Sequence, residues 1–300
     1  MKVKSIFKVS IALMIVGVIF TGVGYAMNGG LRLNDLGNLN NKEEKSIELI
    51  NETKELKQFK NIDIDTEFNN IEIIPSNKYK IELKYDNSYG KINYKVNKET
   101  LVVTQKPRTK MKNHDLELLK NENRNNIKIY IPTNDKVNNL NIKCDASNIE
   151  IEGMDIDSLD ILSNLGDILV RDCKIKNGEV VADAGNIELY NINALNIGAY
   201  SNLGNIVMNE NDISDSLNIE NDMGNIEVNG KIYGDIDLKN NLGNIELTIN
   251  ENKKLYNYKV DCDLGNGEVD GDNKVKEVNN NSKNNIKLDC SLGNIELNFK

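Results

Sequence analysis

A chain of 300 residues with 39% apolar content, no Trp, three Pro and one His is too polar to bury one large globular core. It points instead to a narrow interior that each strand fills with one or two side chains. The net charge of −9 excludes nucleic acid and anionic polymers as direct partners, because both would be repelled.

Val9 to Met27 is an almost unbroken apolar run, preceded by Lys2, Lys4 and Lys8. As a helix it would reach roughly 28 Å, about one hydrocarbon thickness. The positive-inside rule then places the N-terminus in the cytoplasm and the remainder outside. A cleaved signal peptide is the rival reading, with Gly24-Tyr25-Ala26 as its small-x-small site. The run is longer than the roughly 7–15 residues of a secretory apolar region, which favours an anchor. Residues 1–27 are therefore read as a single-pass membrane anchor, with secretion as the alternative. No Cys follows the run, which argues against a lipoprotein.

Residues 28–60 are polar and charged and read as a juxtamembrane spacer. From Asn61 the run NIDIDTEFNNIEIIP alternates with period two and closes at Pro75, a strand signal. KYKIELKYD (78–86), KINYKV (91–96), TLVVTQ (100–105) and NIKIYIP (126–132) continue the pattern. The charged segment 106–125 between the last two reads as a loop with at most one helical turn. Residues 61–140 are thus expected to form a β-rich cap with the first coils, covering an end that a repeat stack would leave open.

Residues 141–300 carry a recurring phrase, as in SNLGDILV, ADAGNIELY, SNLGNIVMN, NDMGNIEVN, NNLGNIELT and CSLGNIELN. Its glycines are Gly166, Gly185, Gly204, Gly224, Gly243, Gly265 and Gly293, with Ser147 in that slot in the first copy. Successive gaps are 19, 19, 19, 20, 19, 22 and 28 residues. A period near twenty marks a solenoid. The expected fold is all-β: a single-stranded parallel β-solenoid, right-handed because parallel crossovers prefer that hand.

Apolar residues stand five and one places before the glycine slot, and two and four places after it. This parity change makes Gly-Asn a corner with both arms facing inward, at residues that tolerate positive φ. The following position holds Asn186, Asn205, Asn225, Asn244 and Asn294, expected to form coil-to-coil amide ladders. Three places before the slot lie small or compact residues, including Cys144, Cys262 and Cys290. Cys262 and Cys290 fall on adjacent copies, so a disulfide between them competes with a pair of buried thiols. Three places after the slot, Glu227, Glu246, Glu268 and Glu296 form an outward stripe. Like charges on neighbouring rungs repel. Ca²⁺ would offset that cost, with Asp222 and Asp263 as candidate neighbours; a solvated stripe is the simpler reading. No catalytic arrangement forms around His114, and no other cofactor is implied.

The order of lysine-flanked apolar run, NIDIDTEFNNIEIIPSNKYKIELKY, NIKIYIPTNDKVNNLNIKCDASNIEIEG and LGNIEL-type coils resembles the bacterial putative-adhesin family of β-strand-repeat proteins. That family is akin to the toastrack domains of Lia- and Psp-type envelope-stress systems. The resemblance implies a β-solenoid on the outer side of a membrane and supplies no catalytic residue. The expected function is a non-enzymatic, membrane-tethered module that binds or senses a cell-envelope component. Two alternatives are a polysaccharide-active β-helix enzyme, and a self-assembling surface protein that pairs through an open C-terminal coil edge.

Overall fold

The computed structural model describes residues 49–87, 90–105, 125–274 and 276–300. The apolar run, most of the spacer, most of the 106–125 segment and His114 lie outside them. Among the described residues no helix is long and apolar enough to cross a membrane.

Among the described residues twenty-three strands make one sheet. The first seven are β1 (Leu49–Glu55), β2 (Asn61–Thr66), β3 (Asn70–Ser76), β4 (Lys80–Asp86), β5 (Ile92–Asn97), β6 (Thr100–Gln105) and β7 (Asn126–Pro132). Regular coils follow, each a long strand and a shorter one. They are β8 (Lys136–Ala146) with β9 (Ile149–Glu152), β10 (Asp155–Leu165) with β11 (Ile168–Arg171), and β12 (Lys174–Ala184) with β13 (Ile187–Tyr190). Next come β14 (Asn193–Leu203), the long β15 (Ile206–Met223), which serves two coils, β16 (Ile226–Ile232), β17 (Asp235–Leu242) and β18 (Ile245–Ile249). The last are β19 (Tyr256–Leu264), β20 (Gly267–Val269), β21 (Glu277–Val278), β22 (Asn284–Leu292) and β23 (Ile295–Phe299).

Pairing between coils is parallel and in register, so identical slots stack. Ile142 lies beside Ile161, Ile161 beside Val180 and Val180 beside Ala199, all buried. Rungs about 4.8 Å apart turn each such column into a continuous apolar ladder.

At both ends the spatial order departs from the sequence order. β2 lies between β6 and β8, and β3 between β7 and β9. The rung formed by β6 and β7 is therefore outermost, although β2 and β3 precede it in the chain. At the other end β22 lies between β17 and β19, and β23 between β18 and β20. The final coil is thus clamped inside the stack. The expectation of an open edge at the last coil is corrected: the terminal rung is β19 with β20. Part of its edge is closed by β21, antiparallel to β19, and by the turn that pairs Val269 with Asp272. The N-terminal edge is closed by β5 against β6 and by β4 against β7, both antiparallel. Antiparallel closure of this kind protects a sheet edge from pairing with other chains.

The ordered body also begins earlier than the spacer reading allows. β1 pairs antiparallel with β4 along its whole length. Its sequence, LINETKE, is almost wholly exposed, so it carries no apolar alternation to read. Phe59, also within the supposed spacer, is buried edge-on against Tyr79, with ring centroids 4.7 Å apart.

Three tyrosines tie this N-terminal region together: Tyr79 donates to Asp135, Tyr94 to Glu52 on β1, and Tyr130 to Glu82. Burial, reinforced by the carboxylate each one meets, pushes all three phenols from the usual 10 up to about 12. The folded chain therefore holds protons that the unfolded chain releases first. Their stabilisation is intact below pH 10 and is lost as the pH rises through about 12. Phenolate absorbance should rise together with loss of protection in β1, and Tyr94→Phe should weaken that coupling.

Candidate functional site

The Gly-Asn phrase proves to be structural, and by a stricter requirement than turn propensity. Every glycine of the phrase has positive φ, from 119° at Gly166 to 154° at Gly265. A Cβ there would also strike the preceding rung's carbonyl oxygen, at 2.2 Å for Gly166 on Ser147 and 1.8 Å for Gly243 on Gly224. The same contact falls at 1.8 Å for Gly293 on Gly243 and 1.6 Å for Gly265 on Gly293. Stacking therefore excludes any side chain, independently of φ.

The residue after each glycine forms a ladder, though not amide to amide. Its backbone N–H donates to the side-chain oxygen of the rung before: Asn186 to Asp167, Asn205 to Asn186, Asn225 to Asn205 and Asn244 to Asn225, at 2.8–3.0 Å. The clamped coil continues it, with Asn294 donating to Asn244 and Asn266 to Asn294. A backbone N–H that the corner would otherwise leave unpaired is satisfied in every rung, at roughly 0.5–1.5 kcal/mol each.

The small-residue column has a matching task. Asn221 and Asn240 donate to the carbonyls of Gly204 and Gly224, and the Cys290 and Cys262 thiols donate to those of Gly243 and Gly293. Cys262 and Cys290 are in register on neighbouring strands, as the spacing suggested, and both are free thiols. Burial raises both, Cys290 to about 11. Cys173 belongs to a second corner that carries no sequence phrase. Gly153, Asp172, Asn191 and Glu210 take φ of 66°, 55°, 51° and 57° there, each followed by a buried side chain.

One inward assignment is corrected. The residue before the glycine lies on the outside of the bend: Leu165 is 55% exposed and Leu264 43%. The strand leaves the interior one residue before the Gly corner, so the inward run ends at the small-residue column. Two and four places after the glycine the side chains are buried, as expected.

Glu227, Glu246, Glu296 and Glu268 do stack, in that spatial order. They stand along a solvated edge. Among the described residues no group of three or more acidic, Cys or His side chains is arranged to hold a metal ion. Asp222 is already engaged by Asn241, at 2.6 Å.

A cavity of about 330 Å³ opens on the outward face of β10, β12, β14 and β15, away from every residue of the repeated phrase. Two strand glycines create it. Gly178 replaces the large apolar residue of a column that otherwise holds Leu159, Ile197 and Leu217, and the Ile197 side chain moves into the gap. Gly198 follows Asp160 and Glu179 in an outward column, and the Tyr200 ring folds over it, within 2.9 Å of where a Cβ would stand. Glycine inside a strand marks a place where something approaches the backbone closely.

On this sheet polar side chains are engaged by ladders, both in the cavity lining, at Asn177, Asn196 and Ser216, and outside it. Asn196 donates to Asn177, Ser216 to Asn196, Asn164 to Asp145, and Asn202 to Asp183. Two carboxylates of the lining stand outside these ladders. Among the described residues Asp160 and Glu179 have no hydrogen-bond or ion-pair partner. Asn218 donates to the Tyr200 hydroxyl at 2.9 Å, which leaves the phenolic proton free, and its own buried Oδ1 is unpartnered.

Comparison with known proteins bears on the whole solenoid. The Toastrack DUF4097 family matches residues 59–298. A crystal structure described as a putative adhesin from Bacteroides fragilis is similar over 84% of this chain and 97% of its own, with 17% identity and a TM-score of 0.52. A putative cell adhesion protein from Clostridium sporogenes covers 84% of this chain and 100% of its own at 16% identity, with a TM-score of 0.25. A putative adhesin from Parabacteroides distasonis covers 84% and 98% at 12% identity, with a TM-score of 0.37. A comparison with curated proteins gave no match. At these identities the first structure speaks for the fold alone. The family match spans most of the chain and the coil architecture agrees with it: the chain belongs to the Toastrack DUF4097 family.

Proposed function

We propose that this protein is a non-enzymatic binding module of the cell envelope. The apolar run 9–27 tethers it to a membrane, and the solenoid stands on the outer side as an adhesin-like or stress-sensing rod. The observation that carries this reading is the cavity around Tyr200. It holds the unpartnered carboxylates Asp160 and Glu179 and the Tyr200 hydroxyl beside a ladder that engages Asn177, Asn196 and Ser216. Rigid strands support those groups, which suits recognition without rearrangement.

One observation favours a second reading, a polysaccharide-active enzyme: Asp160 and Glu179 are carboxylates on adjacent rungs. Both are exposed, however, whereas the acid partner of a hydrolytic pair needs an apolar pocket. Incubating the purified full chain with isolated cell-wall material and measuring co-sedimentation and soluble products tests both readings. Saturable co-sedimentation without products is the expected result. Released saccharides would overturn the non-enzymatic reading, and absence of any binding would overturn the function. Protease accessibility of the solenoid in intact cells tests the topology.

A further inference from the structure

We propose that the Tyr200 cavity is a saccharide subsite specific for a hexosamine whose amine is free. This inference rests on the binding-module reading and names the ligand of its site. The volume of about 330 Å³ is at the small end of ligand cavities, the size for one or two sugar rings rather than a folded partner. Its chemistry is one-sided. Asp160 and Glu179 sit on neighbouring rungs, with their Cα atoms roughly 5 Å apart. The cavity lining contains no Lys or Arg. Uronic, sialic and phosphorylated sugars are repelled by such a wall, whereas an ammonium group relieves the repulsion between the two carboxylates.

The remaining groups suit the rest of a pyranose. The Tyr200 O–H and the Asn177 amide can donate to ring hydroxyls. Gly198 gives the Tyr200 ring its resting place, so an added methyl there displaces the ring without touching the core.

The test is calorimetric titration of the detergent-purified full chain with four probes. These are a fully deacetylated glucosamine tetramer, the N-acetylated tetramer, a galacturonic acid tetramer and spermine. Saturable binding of the glucosamine tetramer alone is expected. Asp160→Asn combined with Glu179→Gln should weaken it about tenfold or more, as loss of close charge pairing does. Gly198→Ala should weaken it less, and the thermal melting of each variant should match the parent, since all three positions face outward. Several results would overturn the proposal: no saturable binding of the glucosamine tetramer, equal binding of the N-acetylated or galacturonic probe, equal binding of spermine, or undiminished affinity in the double variant. If cell-wall co-sedimentation persists while the titration fails, the ligand assignment falls and the binding function stands. Loss of both rejects the function itself.

Discussion

Ending the chain at Ser282 is expected to unfold more of the protein than it removes. The deleted residues include β22 and β23, the rung clamped between β17–β18 and β19–β20. Their buried residues Ile286, Leu288, Cys290, Ile295 and Leu297 fill one layer of the interior ladder. Burial of five such side chains is worth on the order of 10 kcal/mol. More is lost than that layer. β19 pairs with β22 at eight positions, and its only other partner is the two-residue β21. Residues 250–282 would lose the rung on which they stack. In a solenoid wound in sequence order, the same truncation would shorten the rod by one coil and leave 250–282 folded. Hydrogen exchange should show protection collapsing across 256–269 in the truncated chain, while 155–223 keeps its protection.

Gly243→Ala is expected to cost about 3 kcal/mol or more, the sum of a strained left-handed backbone and a coil-to-coil clash. The backbone φ is +139°, and the new methyl would lie 1.8 Å from the Gly224 carbonyl oxygen, with the Asn240 amide 3.0 Å away on another side. The only relief is to separate the rungs, which stretches the neighbouring Asn225–Asn244 ladder bond as well. Gly271 supplies the control. Its φ of +76° is also positive, but nothing lies within 4 Å of the added carbon. Gly271→Ala should therefore show the backbone strain alone, roughly 1 kcal/mol. Denaturant titration of the two variants separates packing from conformation, because only the first should lower the midpoint strongly.

The contrast between these two glycines shows what the sequence made legible. The period, the buried columns two and four places after the glycine, the Asn ladder and the alignment of Cys262 with Cys290 could all be read, because in-register stacking repeats each demand in every coil. The column before the glycine misled. Leu165, Leu203 and Leu242 look like core residues, yet the strand turns outward before them. The second corner escaped notice because four different residues, Gly153, Asp172, Asn191 and Glu210, fill it; the backbone position recurs and the residue type does not.

The order of the end rungs could not be read at all. The phrases CDLGNGEV and CSLGNIELN present nearly the same faces, so either could stack on NNLGNIELT. What decides is the longer connection between β20 and β22, which lets the chain pass the terminal rung and return inside it. The cavity did leave a trace: Gly178 stands in a column where other coils carry Leu or Ile, and Gly198 stands where they carry Asp, Glu or Asn. Neither belongs to the repeated phrase, so the period carries no signal of them.

The rung order can be measured directly by oxidative cross-linking. Asn240 is in register with Cys290, and Cys290 with Cys262. Neighbouring rungs lie within the roughly 4.4–6.8 Å Cα separation that a disulfide accepts, while rungs two apart do not. In a chain carrying Asn240→Cys and Cys262→Ser, mild oxidation should join positions 240 and 290. In one carrying Asn240→Cys and Cys290→Ser, it should leave 240 and 262 unlinked. Efficient linkage of 240 to 262, with none between 240 and 290, would contradict the clamped coil and restore a solenoid wound in sequence order.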